Sequence, residues 1–164
     1  MADDPVIASH LRSIDEAFDR RSWHGTNLRG AIRGLDPRQA AWRPGRGRHN
    51  VWELVLHAAY WKYAVRRRLT GEKRGSFALA GSNWFPSPAP PTEGEWKKAV
   101  ALLAEEHRRL RAVIADLAAA DLSRVPKGGR ASHGRLVRGI VAHDLYHAGQ
   151  IQLLKRLQPA RTTA

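Results

Sequence analysis

The chain's 164 residues are 43% hydrophobic and 26% charged, values of one globular domain with a real core, and the lack of cysteine excludes disulfides, thiolate metal ligands and a thiol nucleophile of its own. Lys and Arg number 28 against 15 Asp and Glu, a formal net charge of +13 that attracts anions; Arg is spread through every segment, Arg66-Arg67-Arg68 being the densest cluster, so a generally cationic surface is expected in preference to a nucleic-acid site. No apolar run reaches the roughly 20 residues that cross a membrane, and the acidic start, Met1 to Pro5, has no signal-peptide pattern, so a cytoplasmic location is expected.

Asp4-Pro5 reads as an N-cap followed by proline at the first helical position. Behind it, Ile7, Leu11, Ile14 and Phe18 recur at heptad-like spacing and predict a helix to about Arg20. Ser22-Trp23-His24-Gly25 interrupts it. Leu28, Ala31, Ile32 and Leu35 then mark a second stretch, weakened by Gly30 and Gly34, with a kink expected between the two parts. Asp36-Pro37 repeats the cap-plus-proline signal for a short turn of helix through Ala41, and the Pro- and Gly-containing segment Trp42 to His49 is a loop. Asn50, with Glu53 three residues later, opens the next helix. Val51, Leu54, Val55, His57, Ala58, Trp61, Val65 and Leu69 give its apolar side, and Gly71 closes it.

Residues 72–91 are rich in Gly, Ser and Pro and read as a long crossover loop, which Trp84 and Phe85 should fold onto the body. Thr92-x-x-Glu95 is a capping box for a helix running through Trp96, Val100, Leu103, Leu110 and Leu117 to about Ala120, with a turn from Pro126 to Arg130. The last helix starts near Ser132 or Gly134 and ends before Pro159. Leu136, Ile140, His143, His147, Gln150 and Leu154 follow a 4-3-4-3-4 spacing, the seam a bundle helix turns inward. No strand signal or repeat is present. Four main amphipathic helices, with one long connection between the second and third, imply an all-α four-helix bundle in a single domain over residues 1–164.

His143 and His147 are four residues apart, so both imidazoles can point at one atom from one helix face. In a chain with eight histidines such a pair is a weak signal alone. His57, on the apolar side of another long helix, strengthens it: three imidazoles from two helices would leave a tetrahedral metal one open position. Gln150, one turn past His147, is placed to orient a ligand. Glu53 and Asp144 are the candidate carboxylates for a general base, although a salt bridge to an arginine is an equal reading for Asp144. Trp61, Tyr146 and the Trp84-Phe85 loop are candidate pocket walls. His10, His24, His49, His107 and His133 lack this arrangement, and His107, between Glu106 and Arg108, reads as an edge position.

Trp23-His24-Gly25-x-Asn27-Leu28, Trp52-Glu53-Leu54-Val55-x-His57 and His143-x-x-x-His147-x-Gly149-Gln150-Ile151 resemble the DinB/YfiT-like superfamily of metal-binding four-helix bundles. The likeness covers most of the chain with its parts in the right order. It implies an up-down-down-up bundle, often a homodimer, with His57, His143 and His147 as ligands of zinc, nickel or another divalent ion. It further implies thiol-dependent S-transferase or isomerase chemistry, or metal-dependent hydrolysis, and no DNA-polymerase activity.

An ion held by three neutral imidazoles keeps its full charge and would activate a water or a thiol. With no cysteine in the chain, a thiol would arrive as a low-molecular-weight cosubstrate. The first expectation is therefore a metal-dependent enzyme acting on a small molecule. The alternative is a metal-binding stress-response or interaction module without catalysis. Three histidines with an open position suit zinc, nickel, cobalt and iron alike.

Overall fold

The computed structural model describes residues 4–159; residues 1–3 of the acidic start lie outside them. The described residues form six α-helices and one 3₁₀ turn, with no strand among them. α1 (Pro5–Phe18) starts where Asp4 accepts from the Val6 amide at 2.9 Å, with Pro5 at the first helical position. The expected kink after it is a full break. Asn27 explains this: its side chain accepts from the Gly30 amide at 2.8 Å, capping a separate α2 (Leu28–Ile32), and donates to the Arg20 carbonyl at 2.7 Å, tying the new start to the old end.

α3 (Pro37–Ala41) opens on a reciprocal box between Asp36 and Gln39. Asn50 caps α4 (Val51–Thr70), and its buried amide reaches the Ala41 carbonyl and Ser87 Oγ, so one residue anchors α3, α4 and the 72–91 segment together. Gly71 ends α4 at φ 77°, where a Cβ would be strained. Thr92 caps α5 (Glu93–Ala115), which stops short of the expected Ala120. There the Asp121 carboxylate accepts from the Ala118 amide at 3.0 Å, offering the backbone a local alternative to the helix, and residues Ala119–Ser123 wind into the 3₁₀ turn instead. α6 (His133–Leu157) is capped by Ser132.

α4 packs against α5 and α6, and α1 packs against the same two helices. The apolar core falls into two parts. One gathers Phe18, Trp52, Leu103, Ala148 and Ile151, the other Ile14, Val65, Leu110, Val137 and Ile140. Between them in sequence, on each long helix, stands a polar residue: Asp15, Lys62, His107 and Asp144. These four meet in a layer. Lys62 Nζ donates to Asp144 Oδ2 and lies 3.4 Å from His107 Nδ1, and His107 Nε2 lies 3.9 Å from Asp15 Oδ1.

The layer corrects two sequence expectations. His107 is buried, its ring stacked on Phe18 at 3.8 Å, not at an edge. Its flanking charges misled because Glu106 is itself buried beside Arg66. The buried line of α6 also departs in part from the expected seam: Ile140, His147 and Leu154 are buried as expected, but Val137, Asp144, Ala148 and Ile151 are buried with them while Leu136, His143 and Gln150 are only half-buried.

Burial, aided by the Lys62 charge, pulls the His107 pKa down from 6.5 to about 3. Over that interval the unfolded chain binds a proton that the folded chain refuses, so this contribution is intact above pH 6.5 and is lost as pH falls toward 3. Thermal melts in EDTA should therefore fall between pH 7 and pH 5, and His107→Leu should reduce that slope, with His57 and His143, whose pKa values burial also lowers, carrying the rest. An unchanged slope would show that His107 takes up its proton in the fold.

Candidate metal centre

His57 projects from α4, and His143 and His147 from one face of α6. His143 Nε2 lies 3.2 Å from His57 Nε2 and 3.1 Å from His147 Nε2, and the ligand atoms all fall within 4.8 Å of one another. Hydrogen bonds fix two of the tautomers. His57 Nδ1 donates to the Asn83 carbonyl at 2.8 Å and His147 Nδ1 to Gln150 Oε1 at 2.6 Å, and since both partners are carbonyl oxygens the protons must sit on Nδ1. Each Nε2 is left with its lone pair facing His143.

Burial first, and the neighbouring imidazoles after it, pull His143 down to about 3. His57 falls to about 4 through burial, against the opposing Asn83 carbonyl, and His147 is lowered by burial against Gln150. All three rings are therefore neutral at pH 7. A proton on His143 Nε2 could satisfy only one of the two lone pairs beside it. Nitrogens bound to one tetrahedral ion at about 2.0–2.1 Å stand roughly 3.3–3.4 Å apart, close to the two spacings here, so the three residues fit a divalent cation.

The 72–91 segment closes this centre from above α4. Asn83 adopts φ 66°, a left-handed conformation that asparagine tolerates better than most residues. Its carbonyl takes the His57 proton while its side chain accepts from Trp61 Nε1 at 2.9 Å. Trp84 lies flat on His57, ring centroids 3.9 Å apart, and His49 stacks on the other face of Trp84 at 3.6 Å. Phe85 turns into the core against Tyr60 and Phe77.

Of the two candidate carboxylates, Glu53 accepts a two-pronged bond from Arg43 and a 2.9 Å contact from His49. Burial alone would raise its carboxyl, but the Arg43 and His49 bonds outweigh it and hold the group low. Asp144 is turned into the polar layer toward Lys62, where burial pushes its carboxyl up. Trp61 sits beside both His57 and His143. Tyr146 is 65% exposed, its ring edge-on to His147, at the outer rim.

Sequence reasoning did not find Asn83, Arg43, His49 or Lys62. Asn83 stands in a loop without periodicity, and its only signal is a residue type that accepts positive φ. Lys62 carried no signal, because lysine is the residue least expected at zero exposure.

No curated protein and no solved structure matches the chain. The sequence profile of the DinB superfamily matches residues 20–151, a span that takes in all three histidines and most of the chain. The chain belongs to the DinB superfamily.

Proposed function

We propose that the chain is a divalent-metal protein, with His57, His143 and His147 as the ligands and zinc or nickel as the ion, and that it is a metal-dependent enzyme transferring a low-molecular-weight thiol or hydrolysing a small molecule. The observation that carries this reading is the convergence of three Nε2 atoms, that of His143 lying 3.1–3.2 Å from the other two, which are held as lone-pair donors by carbonyl oxygens on the far side of the ring. The four long helices, α1, α4, α5 and α6, are read as the four-helix bundle, and residues 72–91 as its crossover loop.

A bound divalent ion supplies Lewis acidity, lowering the pKa of a water or thiol at its open position. The chain's own residues do the rest. Asn83 and Gln150 keep two imidazoles in the ligating tautomer and orientation. Trp84, 37% exposed, covers His57 and limits water on that side, and Trp61 walls the other. Glu53 and Asp144 serve as positioning residues, Glu53 fixing the His49 that backs Trp84 and Asp144 anchoring α6 next to His143.

The test is metal analysis of protein purified without a nickel column, followed by turnover assays with small thiols and electrophiles. About one ion per chain, and thiol consumption that EDTA stops, is expected. An ion without turnover against thiol, ester or amide substrates would favour the non-catalytic module. A homodimer is proposed with this reading, and a monomeric mass in light scattering would refute it.

A further inference from the structure

We propose that a cavity leading away from His143 binds a small molecule with an apolar body and an anionic phosphate or carboxylate end. Beside His143 lies a slot of about 320 Å³ walled by Trp61, Val65, Leu136, Gly139 and Ile140. Arg68 and Arg135 stand at its rim, the Arg68 guanidinium 5.7 Å over the Trp61 ring. Arg68, Ala131 and Leu136 also line a second, adjacent cavity of about 740 Å³ between the end of α4 and the turn at residues 126–131.

This outer basin is cationic without compensation. Lys73, Arg74, Lys127 and Arg130 line it, and none of them, nor Arg68 or Arg135, forms an ion pair with a described residue. Glu72 is the one carboxylate among its lining residues, and Arg66 already holds both its oxygens at 2.7 and 2.9 Å. Elsewhere several carboxylates are already paired, such as Asp15 with Arg111 and Glu105 with Arg108 and Arg109. Five such cations lining the basin, with Arg135 in the adjacent slot, attract an anion in a way that an evenly cationic surface does not.

From Arg135 to His143 is eight residues of α6, or roughly 12 Å. A ligand that spans it places its charge among the arginines, its apolar portion against Trp61 and Leu136, and its far end at His143. That last placement makes it the substrate of the metal centre and rests on the reading above; the chemistry of slot and basin does not.

Gly139 gives the sharpest test. A Cβ built there meets nothing within 4 Å, so the position is open, and a larger side chain would extend into the slot without disturbing the helix. Binding of 2-naphthyl phosphate, 2-naphthol and inorganic phosphate would be measured calorimetrically on full-length, EDTA-stripped protein, which makes the result independent of whether an ion binds. 2-Naphthyl phosphate should bind at least tenfold tighter than either fragment. Gly139→Leu should keep or raise the melting temperature while losing tenfold or more of that affinity. Arg68→Met/Arg135→Met should erase the preference over 2-naphthol.

Equal binding of the three probes, or unchanged affinity in Gly139→Leu, would overturn the proposal. So would a single-stranded oligonucleotide that competes fully with the phosphate and binds Gly139→Leu as well as the original protein, since the basin would then be a general polyanion surface. A chain that holds no metal but binds 2-naphthyl phosphate in this pattern would refute the metal reading alone.

Discussion

Lys62→Met is expected to destabilise the protein by about 3–5 kcal/mol, the usual cost of stranding one member of a buried ion pair. Lys62 and Asp144 are both at 0% exposure. Among the described residues Asp144 Oδ1 has no hydrogen-bond partner, so the ammonium on Oδ2 is the one compensation they give its carboxylate. Methionine keeps much of the volume and removes the charge, which isolates the electrostatic part of the loss. Urea titrations followed by circular dichroism would measure it, and at this chain length the melting temperature should fall by roughly 10 °C. Lys62→Met/Asp144→Leu should regain most of the loss, because two charges removed together leave no orphan. A single variant within 1 kcal/mol of the original would mean that Asp144 is already protonated in the fold.

His143→Ala should abolish stoichiometric metal binding while leaving the helical circular dichroism signal intact. His143 stands between the other two imidazoles, so its removal leaves His57 and His147 without the nitrogen that lies 3.1–3.2 Å from each. The fold does not hang on the centre, since two apolar clusters run along the long helices on either side of the polar layer. EDTA should accordingly strip the ion without unfolding the chain. Gln150→Leu offers a graded control: losing the oxygen that fixes the His147 tautomer should cost roughly 10–100-fold in metal affinity and not the whole of it. Full metal content in His143→Ala would remove the three-histidine centre from consideration, and unfolding by EDTA would make the ion structural.

The starts of five of the six α-helices could be read from the sequence because each is set by contacts within three residues, whereas the separate start of α2 at Asn27 could not. Asp4, Asp36, Asn50, Thr92 and Ser132 all cap where the residue types place them. The pairing of His143 with His147 is of the same kind, being fixed by the pitch of one helix. His57 could be assigned to an inward face, but its distance to the pair could not, since that depends on how α4 and α6 dock.

What only the tertiary structure decided is everything that turns on residues far apart in the chain. Asn83 reaches His57 across 26 positions and Lys62 meets Asp144 across 82. Neither residue type announces such a role, for an asparagine in a loop has no period and a lysine defaults to solvent. The expected seam of α6 held at Ile140, His147 and Leu154 but left out Asp144 for the same reason: a periodic pattern treats aspartate as a surface residue, and only the opposing lysine makes Asp144 an interior one. Local hydrogen bonds fix where helices begin, whereas the burial of a charge is decided by a partner that only the folded chain brings near.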